Sequence, residues 1–96
     1  MASYAQPDIT HNATDSGAAT SSGTNTAIAL TTKGQCVGVT VYNSGATAFT
    51  IKMNAETNAH TVPAGKSWCS GYMNLTQFVI VETASEYSYT AIIVAS

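Results

Sequence analysis

The sequence predicts an all-β protein: a single small β-sandwich or barrel of six to seven short antiparallel strands, preceded by an extended amino-terminal arm. Three observations carry this expectation. Apolar residues recur with a period of two in several short runs, as when one face of a sheet is buried. Turn-forming residues separate those runs at short intervals. No stretch has the period of an amphipathic helix, and many short strands without helices imply a sandwich or barrel.

In chain order the first part is the arm, residues 1–26. From Asn12 to Thr26 no side chain is both apolar and larger than alanine. Such a segment buries too little surface to offset its ordering entropy, so it is expected to be flexible alone and to order against a neighbouring subunit. Residues 27–96 are then the sandwich. Short strands are expected at 27–32, 37–42, 49–54, 59–62, 66–69, 77–82 and 89–94. Val37, Val39 and Val41 alternate with Gly38, Thr40 and Tyr42, and Phe49, Ile51 and Met53 alternate with Thr50, Lys52 and Asn54. Between these runs Asn43-Ser44-Gly45-Ala46 supplies turn residues, which predicts a hairpin with Gly45 at positive φ. Residues 77–82 and much of 89–94 are apolar at consecutive positions, which predicts central strands covered on both sides. Val62-Pro63-Ala64-Gly65 and Thr83-Ala84-Ser85-Glu86 are the remaining turns.

Charge is scarce. The 96 residues include no arginine, and only Lys33, Lys52, Lys66, Asp8, Asp15, Glu56, Glu82 and Glu86 are charged, 8% of the chain. A soluble domain is typically about one-quarter charged. With a net charge of −2 there is little colloidal repulsion, so the chain is expected to be a subunit of a larger assembly. Three scattered lysines make no basic stripe, which argues against nucleic acid and against a polybasic membrane patch. No apolar run approaches the roughly 20 residues that span a bilayer. The opening Met1-Ala2-Ser3-Tyr4-Ala5-Gln6 lacks the regions of a secretion signal, so synthesis in a cytoplasm is expected. There Cys36 and Cys69 are expected to be reduced thiols, a bridge between them being the alternative. The acceptor patterns Asn12-Ala13-Thr14 and Asn74-Leu75-Thr76 matter only in a secreted protein and carry no weight.

Motifs for chemistry are weak. His60-Thr61-Val62-Pro63-Ala64-Gly65-Lys66-Ser67 comes one residue short of GxxxxGK[ST], because His60 stands where the first glycine belongs. The following Trp68-Cys69-Ser70-Gly71-Tyr72 reads as a strand running into a loop, not as the helix a phosphate loop must open. A corner between strands, with a type I turn at Pro63 and Gly65, is the reading adopted. Cys36, Cys69, His11 and His60 are too scattered for the close ligand pairs of structural zinc sites. Asp8, His11 and Asp15 are too few for a calcium loop. Ten serines and two histidines occur without a GxSxG elbow, so no enzyme and no cofactor are expected.

Tyr42, Trp68, Tyr72, Tyr87 and Tyr89 could stack against sugars, as in a carbohydrate-binding β-sandwich module. Packing in the core or against another protein is the reading preferred here. Tyr72 and Met73, in the loop of residues 70–76, and Trp68 are the candidate partner contacts.

Four segments together carry a resemblance. Val39-Thr40-Val41-Tyr42-Asn43-Ser44-Gly45, Phe49-Thr50-Ile51-Lys52, Thr61-Val62-Pro63-Ala64-Gly65-Lys66-Ser67-Trp68 and Phe78-Val79-Ile80-Val81 resemble small β-rich virion proteins of tailed bacteriophages. The resemblance covers roughly residues 37–82 and rests mostly on turns. It implies a capsid decoration or cement protein, or else a tail, collar or fibre component. The partners it implies are the major capsid protein, other virion subunits and copies of the chain itself, met in a virion assembled in a host cytoplasm. It carries no binding residue over to this chain.

Overall fold

The computed structural model describes residues 11–94, and their side chains from residue 14. Eight strands follow one another: β1 (His11–Thr20), β2 (Thr26–Ala29), β3 (Gln35–Asn43), β4 (Phe49–Met53), β5 (His60–Val62), β6 (Ser67–Cys69), β7 (Gln77–Ile80) and β8 (Glu86–Val94). They form two four-stranded antiparallel sheets, ordered β1-β8-β3-β6 and β2-β7-β4-β5. The all-β sandwich expected from the sequence is the fold.

The strand order has a simple origin. β1 pairs β8, β2 pairs β7, β3 pairs β6 and β4 pairs β5. The chain is therefore one long ribbon doubled back on itself with β4 and β5 at its tip. Rolling that ribbon adds the pairs β3·β8 and β4·β7 and closes both sheets. This is the topology of an eight-stranded jelly roll. All connections except the β4–β5 turn then pass from one sheet to the other.

That geometry overturns the expected hairpin. The runs at 37–42 and 49–54 lie in different sheets, because β6 and β8 already occupy both sides of β3. The link between them is a crossing held by Asn43, whose side chain is fully buried. Its Nδ2 donates to the carbonyls of Thr47 and Val62, each at 2.9 Å, and its Oδ1 accepts the Gly45 N–H at 2.9 Å. Gly45 is not among the residues at positive φ. At the next corner Pro63 O accepts the Lys66 N–H and Gly65 sits at φ +72°. Pro63 is thus position i, and Gly65 at i+2 supplies the positive φ of a type II turn, in place of the expected type I.

The core is the inner parity of each strand, except that a bulge between Cys36 and Gly38 switches the parity of β3. Cys36 therefore points inward, and Val37, expected inside with Val39 and Val41, lines a groove on the outer face. Cys36, Val39 and Val41 of β3, Phe49, Ile51 and Met53 of β4, Phe78 and Ile80 of β7, and Ala91 and Ile93 of β8 are buried in one cluster with Leu30, Val62, Leu75 and Tyr87. The rings of Phe78 and Tyr89 meet edge to face at 5.4 Å, an arrangement favoured by the ring quadrupole. β7 and β8 are central in their sheets, as expected, but they are covered on one side only. The other parity faces outward, leaving Ile92 exposed. Consecutive apolar residues here reflect β-branched residues tolerated on an outer face, not a third layer.

Residues 1–10, the first part of the expected arm, lie outside the described residues. Its remainder is not a free extension: 11–20 form β1, the edge strand of the first sheet, in register with β8 from Thr14↔Ile92 to Thr20↔Glu86. Backbone hydrogen bonding to a long neighbour needs no large side chain, which is why a run of Thr, Ser, Gly and Ala serves. Gly17 has a specific role, since a Cβ there would stand 2.8 Å from the Tyr89 ring. Ser21 then locks the exit from β1: its hydroxyl donates to Glu82 O and accepts the Ser85 N–H.

Candidate functional site

Two surface hollows of the sandwich are candidates for a functional site. On the first sheet the outward parity forms rows across the strands. Ser16, Thr90, Thr40 and Cys69 make one row, and Ala18, Ser88, Tyr42 and Ser67 the next. Thr14, Ile92 and Gly38 make a third. No charged side chain interrupts these rows, and Glu86 stands at one end. The exposed large hydrophobic residues among those described are Tyr42 at 40%, Ile92 at 42% and Tyr72 at 73%. All three belong to this surface. Tyr42 and Ile92 project from the strands, and Tyr72 comes from the loop that follows β6.

That loop is pinned along β3. Ser70 N–H donates to Val39 O, Met73 N–H to Val37 O and Leu75 N–H to Cys36 O. The Ser70 hydroxyl accepts the Val39 N–H at 3.0 Å. Between loop and sheet lies a groove of about 390 Å³ lined by Val37, Gly38, Thr40 and Ile92 of the sheet, Cys69 at the end of β6, and Gly71 and Tyr72 of the loop. Gly38 forms its floor, where a Cβ would press within 3.2 Å of Gly71 O.

The sequence candidates divide. Tyr72 stands on the groove rim. Met73 is half-buried and packs against the core. Trp68 turns inward too, stacking on His60 with ring centroids 4.7 Å apart, and closes the side of the sandwich where β5 and β6 are the edges. Trp68 and Tyr72 therefore share no flat face, and Tyr87 and Tyr89 pack inward. The five-ring sugar platform is not formed. Tyr42, Cys69 and Ile92 were missed as surface contacts; their shared parity, opposite to Val41 and Ile93, was the available signal.

Both cysteines are free, Cys36 buried and Cys69 exposed. Burial pushes the Cys36 thiol up. Hydrogen bonds from the Gly71 backbone and the Thr40 hydroxyl, the latter 3.6 Å from Sγ, hold Cys69 below the usual thiol value. A second cavity, about 410 Å³, lies between the crossing at 45–48 and the turn at 82–86. Beside it the Glu82 carboxylate accepts the Thr50 N–H at 2.8 Å and the Thr50 hydroxyl at 2.7 Å. Among the described residues no three of His, Cys, Asp and Glu converge. The His60–Ser67 segment is β5, a turn and β6, with no helix at its end, so it offers no phosphate loop. Lys33 pairs with Asp15 at 3.5 Å, while Lys52 sits on β4 and Lys66 precedes β6. The lysines make no common patch. Asp8 lies outside the described residues, as does the side chain of His11.

Fold and surface define a small jelly-roll domain with an uncharged outer sheet face. No family model matches the chain, and no curated protein or solved structure was found to be similar to it.

Proposed function

We propose that this chain is a structural virion protein, a capsid decoration or cement protein that bridges and stabilises capsid subunits. The observation that carries the reading is the open edge of the first sheet. β1 pairs only with β8 among the described residues, and its exposed positions Thr14, Ser16, Ala18, Ala19 and Thr20 are small and uncharged. An edge of this kind presents unpaired backbone groups to which a neighbour can add a strand. The Lys and Pro residues that commonly block such edges are missing from β1. Jelly rolls recur in viral capsid and lectin domains, an analogy at the level of fold alone.

The mechanism is mechanical. The body sits between capsid subunits while the β1 edge joins a neighbour, and many small uncharged contacts add by multivalency. The test is to strip the protein from particles and restore it. Stripped particles should lose resistance to heat and osmotic shock and regain it on addition of wild-type protein, but less with Ala18→Lys at the edge. Unchanged resistance after stripping would overturn the cement role. A closed ring or trimer that ignores shells would move the reading to a tail, collar or fibre-attachment component.

A further inference from the structure

We propose that the groove on the first sheet is the receptor for this chain's own residues 1–10, with the Tyr4 ring seated over Gly38 between Tyr72 and Ile92. The place where β1 begins favours this occupant. His11 pairs with Val94 and Val94 with Gln35, so the chain enters the sheet at the end where the groove reaches Val37. A register shift between His11 and Ala13 marks a bulge at that point, and a bulge bends its strand away from the ladder. The ten preceding residues leave the sheet from that bend.

Length selects the residue. Between His11 and Gly38 lie two strand spacings of about 4.8 Å and about three residues of about 3.3 Å each, roughly 14 Å on the diagonal. Ile9, two residues before His11, extends about 7 Å and falls short. Tyr4, seven residues before it, extends about 23 Å, enough to cross β8 and settle. Chemistry agrees. Met1, Tyr4, Pro7 and Ile9 are the apolar side chains larger than alanine that precede Ile28, and residues 1–7 include no charged side chain. The groove walls, Val37, Ile92 and Tyr72, are uncharged too. Its floor favours a ring over Met1: Gly38 and Gly71 present bare backbone, and an aromatic laid across a strand glycine restores the packing that the glycine lacks. Tyr72, 73% exposed, gains an aromatic partner. A tether this short holds the ring at a roughly millimolar effective concentration, so an intrinsic dissociation constant of about 0.1 mM keeps the groove nine-tenths filled.

The experiment follows alkylation of Cys69, whose thiol lines the groove, by iodoacetamide on the full chain, with buried Cys36 as the slow internal reference. At nine-tenths occupancy Tyr4→Ala should react roughly tenfold faster than wild type. Ile9→Ala should react at the wild-type rate, and circular dichroism should be unchanged in both variants. In nuclear Overhauser spectra the Tyr4 ring should lie close to the Ile92 methyl groups, with relative intensities unchanged on dilution. Equal Cys69 rates in wild type and Tyr4→Ala, or no contact between Tyr4 and Ile92, overturn the proposal. A contact that fades on dilution overturns it as well, because the segment then fills a neighbour's groove. The cement role is decided separately, since these measurements use the free chain and that role is read from stripped particles.

Discussion

Asn43 shows how much one polar residue controls. It is fully buried, and its amide satisfies two carbonyls and one N–H at the crossing from β3 to β4. No buried side-chain polar atom lacks a partner among the described residues. Replacing Asn43 by Ala would orphan three backbone groups, each costing about 1 kcal/mol when left dry. Urea unfolding of Asn43→Ala should therefore show a loss of roughly 2–3 kcal/mol. A loss within about 0.5 kcal/mol would mean that water replaces the amide. In the sequence Asn43 reads only as a turn former, because nothing local distinguishes a turn that closes a hairpin from one that crosses a sandwich. Similarly, Tyr72 and Trp68 look alike as aromatic residues near a loop, and only the parity of β6 turns Trp68 inward.

Between elements, Glu82 clamps the end of β7 to β4. Burial raises its pKa, yet the hydrogen bonds from the Thr50 N–H and hydroxyl, with one from its own backbone, outweigh that and hold the carboxyl below its ordinary value. The folded state thus binds this proton less readily than the unfolded chain. Its contribution to stability is fully present above the ordinary Glu range, near pH 4.3. It fades as pH falls through the lower folded value. Solvent exposure keeps the effect small, about 0.5 kcal/mol. The urea midpoint of wild type should drop between about pH 5 and pH 3 more than that of Glu82→Gln. Equal drops would show that the clamp contributes nothing. At this scale seven of the eight strands were legible: β3 and β4 from alternation, β7 and β8 from consecutive apolar residues, and β2, β5 and β6 as short runs bounded by turns. β1 was not, because its stability comes from backbone pairing with β8, a partner some 70 residues away.

For the whole molecule, the shortage of charge has a measurable consequence. One ion pair, Lys33–Asp15, joins charged side chains among the described residues, and its lysine is 58% exposed. Screening therefore has little to act upon. Thermal unfolding should shift by less than about 2 °C between 0.02 M and 0.5 M sodium chloride, and self-association should be equally indifferent to salt. A marked dependence would point to charged contacts made by residues outside 11–94.

By itself the sequence determined the class of fold and the temper of the surface. Alternating Val, Ile and Phe dictate half-buried strands, and eight charged residues in 96 leave uncharged faces whatever the topology. Only the tertiary structure decided which strands pair, that the presumed arm completes a sheet, and that Tyr42, Ile92 and Tyr72 meet on one face. The reason is physical: alternation is written within a strand, but pairing depends on which distant edges remain free once the ribbon has rolled, and no local pattern records that.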